Sequence, residues 1–162
     1  MFSLMLSDLV DAESIDALRE AVGDVAERSF FAAAEPLVDL PDPSADPDTW
    51  LTATVRFNEA DARGVVACLL PHRLARELFD AFNGREPTDG EPAVDDLFDL
   101  VGEFANMVCG AWLTRTADGP AFVLSCPVVE ASAPQVAFGA RTGIQVSMSV
   151  NDLPLVVMVA RA

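Results

Sequence analysis

Lysine and tyrosine are missing from this 162-residue sequence, histidine occurs once and cysteine three times. Without lysine there is no Schiff-base chemistry and no phosphate-binding loop of the lysine type. Cys68, Cys109 and Cys126 stand singly within apolar stretches. An odd count with no CxxC spacing points to reduced thiols, not to a disulfide framework or a zinc site. Positive charge is scarce: 10 basic residues face 26 acidic ones, for a net charge of −16 and a pI near 4.1. That balance repels nucleic-acid phosphates and anionic membrane surfaces. No apolar run reaches about 18 residues, so no transmembrane helix is expected. The start, MFSLMLSDLVDAES, lacks a basic n-region and meets Asp8 too early for a signal peptide. The expectation is an acidic, cytoplasmic domain spanning residues 1–162, and its 51 % hydrophobic content suffices for a core without disulfides or metals.

Ser14 is placed to cap a helix reaching about Ala34, where Glu35-Pro36 ends it. Residues 39–49 are Pro- and Asp-rich and read as an exposed loop. Trp50 to Phe57 and Gly64 to Leu70 read as paired strands turning at Asn58 to Ala62. Pro71 opens a short helix closed at Asn83-Gly84, and residues 85–92 read as a linker. After a second long helix come a strand over Ala121 to Glu130 and a final pair, Gly143 to Val150 and Leu155 to Ala160, joined by Asn151 to Pro154. Both halves, about 12–84 and 91–162, thus read as a long helix followed by a strand pair, a degenerate duplication. The expected fold is α/β in the α+β sense, with two long adjacent helices on a mixed or antiparallel sheet.

The second long helix, Asp95 to Trp112, holds the most informative pattern. At roughly 100° per residue, Asp96, Asp99, Gly102, Glu103, Asn106 and Gly110 fall on one narrow stripe, with Asp95 at its edge. Apolar residues take the rest of the circumference, so the helix is expected to be packed on most sides. The stripe contains no basic residue, and Asn106 sits mid-helix, where its propensity is poor. Glu103 and Asn106, three apart, are neighbours in space. Such a pair suits gripping a partner's cation while steering a water molecule. In the first helix, Glu20, Asp24 and Glu27 occupy the equivalent places, so the acid is kept and the amide is not.

Asp99-xxx-Glu103-xx-Asn106, followed by Met107, Gly110 and a strand containing Ser125-Cys126-Pro127, resembles the CheX/CheC family of chemotaxis phosphatases, and within it the CheX-like branch. The order of helix, hairpin, short helix, linker and signature helix extends the resemblance over most of the chain. The proline lies slightly earlier than in the family pattern, and one complete signature helix, not two, fits the CheX-like branch. The resemblance implies a phosphatase acting on a phosphorylated response regulator of the CheY type, in chemotaxis or related two-component signalling. Glu103 would pair with the regulator's active-site lysine, and the Asn106 carboxamide would orient a water for in-line attack. Asp99 would support or contact the partner. Mg²⁺ would belong to the regulator, with no cofactor on this chain.

Other readings compete. The stripe could be only a solvated helix face. Asp95, Asp96 and Asp99 could suggest a metal, but the helix dipole favours acids in a first turn anyway, and no histidine joins them. His72 reads as a surface or capping residue, Cys109 and Cys126 as small core residues, and Phe104 as core first, with a place on a docking surface second. The acids of 39–48 and 86–96 read as solvated loop charge. At the level of function, one rival is a non-catalytic adaptor of the same fold that binds a signalling or flagellar-switch partner. The other is an acidic small-ligand sensor, which needs the stripe to be buried. A homodimer using the terminal strand LVVMVARA as an edge and a monomer are equally compatible with the sequence.

Overall fold

Among the described residues the alternating strands fold as one antiparallel sheet with three α-helices on one face. The structure, a computed structural model, describes residues 12–39, 41–59, 62–116, 122–131 and 143–161. In chain order these form α1 (Ala12–Phe30), β1 (Ala34–Pro36), β2 (Trp50–Glu59), β3 (Ala62–Pro71), α2 (His72–Phe82), α3 (Val94–Thr116), β4 (Val123–Leu124), β5 (Val128–Glu130), β6 (Gly143–Val150) and β7 (Leu153–Arg161). The strand order is β1-β6-β7-β3-β2-β4, with β5 also on β2, and every pairing is antiparallel. The fold is α+β, and of the two sheet types expected the antiparallel one is present.

Period-two alternation explains the layering. Leu51, Ala53, Val55 and Phe57 of β2, Val66, Cys68 and Leu70 of β3, Ile144, Val146 and Met148 of β6, and Leu155, Val157 and Val159 of β7 share one buried face with the helices. In the β2–β3 hairpin Phe57 lies directly opposite Gly64, and a Cβ at Gly64 would fall 2.2 Å from the Phe57 ring. That glycine gives the ring room to lie flat on the strand. The β6–β7 hairpin turns on Asn151 and Asp152 alone, with φ of 50° and 64°, the two left-handed residues of a type I′ turn. Leu153 and Pro154, expected in the turn, belong to β7.

Several boundaries differ from the sequence expectation. Ser14 lies inside α1, two residues past Ala12, so it is not the cap. The helix stops at Phe30 and not near Ala34, because Phe31 adopts a left-handed φ of 54° and the next residues are needed as β1 against β6. Ala32 N–H then donates back to the Ala26 carbonyl at 3.0 Å. The terminal strand is no edge: β7 lies between β3 and β6, and its Leu155, Val156, Val157 and Val159 are buried on both faces. A homodimer built on that strand is therefore excluded.

The loop and linker charges are also less free than expected. Arg73 clamps the Pro-rich loop, with Nη2 at 2.9 Å from Asp46 and Nη1 at 3.2 Å from Asp48, while Asp48 also accepts the Arg73 backbone N–H at the start of α2. The Arg73 guanidinium holds the Asp46 carboxyl down at about 2. In the linker, Arg76 donates to the carbonyls of Pro87 and Gly90 and pairs with Glu91. Arg85 pairs with Asp80 and donates to the carbonyls of Asp89 and Gly90. These contacts fix where α3 begins. Asp95 and Asp96, at its first turn, are exposed.

Candidate functional site

α3 is enclosed on most of its circumference, as its composition requires. Leu97, Leu100, Val101, Phe104, Ala105, Val108, Cys109, Trp112 and Leu113 are buried between the sheet, α1 and α2. The two long helices lie side by side and run in opposite directions. Trp112 Nε1 donates to the Ser14 carbonyl near the start of α1 at 3.3 Å, while Phe30 at its end packs edge-on to Phe104, centroids 5.3 Å apart. Phe104 is fully buried and so cannot line a docking surface, because it stands about 100° around the helix from Glu103.

What remains open is the strip expected from the sequence, with one change. Asp95, Asp96, Asp99 and Glu103 are exposed, and Asn106 and Gly110 are half-buried. Gly102 is buried instead of exposed, because Pro127 and Val129 lie against it. Among the described residues neither the Asp99 nor the Glu103 side chain has a hydrogen bond or ion pair. Asn106 Oδ1 is buried and also has no hydrogen-bond partner. A buried amide oxygen left unpaired costs roughly 1–3 kcal/mol, and the two ends of a carboxamide exchange places by a half-turn of its last torsion. Glu103 therefore presents a free carboxylate, and the amide one helical turn further on is not tied up by its own fold. A site of this kind can accept a cation and hold a small polar molecule beside it. The exposed strip also fails the requirement of the small-ligand sensor.

The equivalent acid on α1 is in a different state. Asp24 forms an ion pair with Arg115 of α3, while Glu20 and Glu27 are exposed. Among the described residues no three His, Cys, Asp or Glu side chains converge on a point where a metal could sit. No helix among them is long and apolar enough to cross a membrane. His72 is half-buried at the first position of α2, remote in sequence from the strip. Cys68 and Cys109 are core thiols; burial pushes both up, Cys109 to about 12. Cys126, expected in the core, is exposed.

That last difference comes from a break in the expected strand. β4 and β5 both pair with β2, but Ser125, Cys126 and Pro127 stand opposite only Val55 and Arg56, a β-bulge. Ser125 anchors it by exchanging two 2.9 Å hydrogen bonds with the Arg56 backbone, one through its own N–H and one through Oγ. The bulge turns Cys126 to solvent and brings Pro127 to the edge of the strip. A proline within a strand pattern, such as Pro127, is the sequence signal for such a bulge.

A family model, Chemotaxis phosphatase CheX, matches residues 51–152, well over half of the chain and inclusive of the whole strip. The chain belongs to the CheX family. Solved structures agree on the fold. CheX from Vibrio vulnificus is similar at 20 % identity, with 92 % of this chain and 96 % of that one covered and a TM-score of 0.68. The CheX of a CheX–CheY–BeF3–Mg²⁺ complex from Borrelia burgdorferi is similar at 12 % identity, 93 % and 98 % coverage and a TM-score of 0.66. The middle domain of FliM from H. pylori shares the fold more loosely, at 14 % identity, 94 % and 93 % coverage and a TM-score of 0.58. No curated protein sequence matches the chain.

Proposed function

We propose that this CheX-family protein accelerates hydrolysis of the aspartyl phosphate on a CheY-type response regulator, with Glu103 and Asn106 as its reacting pair. The observation that carries the reading is the untied pair itself: an exposed carboxylate and a carboxamide one turn apart on α3, neither with an internal partner among the described residues. Support comes from family membership and from the Borrelia relative, which was solved with CheY, a BeF3 group and Mg²⁺. Glu103 pairs with the regulator's active-site lysine and fixes the dock. Asn106 enters the phosphorylated pocket and orients a water, accepting a hydrogen bond through Oδ1 or donating one through Nδ2. The water oxygen bonds to phosphorus as the bond to the aspartyl oxygen breaks. The aspartate leaves as a carboxylate, and the water's proton passes to the phosphate product. Aspartyl phosphate with its Mg²⁺ and lysine in place needs little beyond this positioning, so no tuned general base is required. Asp99 contacts the partner's rim.

The same reading treats the two halves, about 12–84 and 91–162, as a degenerate duplication in which α1 kept its acids as scaffold. Phospho-regulator decay tests the assignment. Wild-type protein shortens the phosphate half-life, and Asn106→Ala loses about 10²-fold of that acceleration. An unchanged rate in Asn106→Ala refutes the chemistry. The likeness to the FliM middle domain favours one alternative, a non-catalytic adaptor for a signalling or flagellar-switch partner. Binding that survives the loss of Asn106, with no acceleration by the wild type, would select it.

A further inference from the structure

Pro127 and Val129 press on α3 at Gly102, one turn before Asn106. A Cβ at Gly102 would stand 2.9 Å from Pro127 Cγ, 3.2 Å from Pro127 Cβ and 3.4 Å from Val129 Cγ2. Only a residue without a side chain lets the proline ring come this close. The strand register explains how the ring gets there. Leu124 pairs with core-facing Phe57 and Val129 with core-facing Ala53. Positions 124 and 129 differ by an odd number, so in a regular strand they would face opposite ways. The bulge at Ser125–Pro127 removes that conflict and turns Pro127, with Val129, towards the helix.

Asn106 stands one turn further along the same stripe. Helical side chains tilt towards the N-terminus, so the one at 106 covers the turn holding Gly102 and Glu103. Gly102 leaves that patch bare, and a rigid ring fills it. Asn106, on an otherwise exposed strip, is half-buried with its Oδ1 enclosed. A mid-helix glycine and a bulge each weaken the element they interrupt; here the two interruptions meet at one contact.

We propose that Pro127, seated in the notch at Gly102, is a positioning residue that restricts the Asn106 carboxamide to the orientation used against the partner. The kinetic consequence rests on the phosphatase reading above, whereas the restriction of the side chain does not.

The test pairs regulator dephosphorylation kinetics with NMR order parameters of the Asn106 side-chain NH2 group in the full chain. Pro127→Ala is expected to lower kcat by about five- to tenfold with KM held within about twofold, and to lower the amide order parameter. Gly102→Ala lowers kcat similarly, because its new methyl displaces the ring. The double variant Gly102→Ala/Pro127→Ala recovers to within about threefold of wild type, the methyl occupying the space the ring has left. Pro127→Ala with kcat and amide order both unchanged overturns the proposal, even if its melting temperature falls, since the contact would then be packing alone. A change confined to KM also overturns it. If wild-type protein does not accelerate phosphate decay, the phosphatase reading fails separately. The order parameter then decides: loss of order in Pro127→Ala supports positioning, and an unchanged value refutes it.

Discussion

Replacing Asn106 with alanine should make the protein more stable while removing its proposed activity. Three contributions decide the sign. Deleting a buried, unpartnered Oδ1 relieves about 1–3 kcal/mol of desolvation. Alanine in place of asparagine inside a 23-residue helix adds about 0.6 kcal/mol of helix propensity. Against these stands the packing lost from a half-buried side chain, about 1 kcal/mol. The net is a stabilisation of about 1–2 kcal/mol, which in a chain of this size raises Tm by roughly 3–6 °C. Urea unfolding of wild type and Asn106→Ala should show a higher midpoint with an unchanged slope. Destabilisation by more than about 1 kcal/mol would mean that the amide makes a native hydrogen bond worth keeping. It would then not be free to hold a water in another protein, and the reasoning from its untied state would fail.

Glu103→Gln is expected to raise KM for the phospho-regulator about tenfold or more, with a smaller effect on kcat, since it removes the proposed charge-assisted dock and leaves the amide proposed to orient the water; stopped-flow titration of regulator-phosphate decay separates the two. Asp46, held near 2 by Arg73 instead of at its ordinary 3.8, contributes stability that is present above pH 4 and lost as pH falls towards 2. Arg73→Gln should therefore flatten the acid limb of the stability–pH curve over that window and cost about 1 kcal/mol at neutral pH, a value discounted for a pair near the surface. Phe104→Ala empties a fully buried position against Phe30 and should cost about 3–5 kcal/mol in chemical denaturation. With a thiol reagent, one cysteine, Cys126, should react quickly in the native protein, and Cys68 and Cys109 only on unfolding.

The parts of this fold that were legible are those set by local period and turn chemistry. The β2–β3 and β6–β7 hairpins, the helix closed at Asn83-Gly84 and the packed circumference of α3 all follow from alternation, turn residues and a 3.6-residue stripe, although Asn58 and Ala62, expected in a turn, pair within β2 and β3. Misreadings arose where a distant partner decided the outcome. Ala34–Pro36 has no strand pattern of its own and becomes β1 because β6 has an edge to fill. LVVMVARA looks like a free edge until the order of strands puts it in the interior, which its two apolar faces already required. Gly102 sits on the polar stripe by angle and is buried by a segment 25 residues later. The candidate pair itself was legible because Asn106 defies helix propensity and Glu103 has no cation in helical reach. Such local rule-breaking is where functional residues are expected.

The same imbalance explains why the strip should want a partner at all. The arginines with described ion pairs are committed elsewhere: Arg19 to Asp16, Arg73 to Asp46 and Asp48, Arg76 to Asp80 and Glu91, Arg85 to Asp80, and Arg115 to Asp24. The acids at i and i+4 along α3, Asp95 to Asp99 and Asp99 to Glu103, therefore repel one another by a few tenths of a kcal/mol per pair. The N-terminal dipole offsets this for Asp95 and Asp96 but fades within the first turn, before Glu103. A chain of net charge −16 gains nothing at long range from approaching an acidic phosphorylation pocket, and added salt should speed that approach by screening it. On the proposed reading attraction comes at contact, where one cation from outside would meet Glu103 with water excluded and relieve the repulsion its neighbours impose. Asp24 shows the contrasting case, since an acid on α1 whose cation comes from within the fold has no such need.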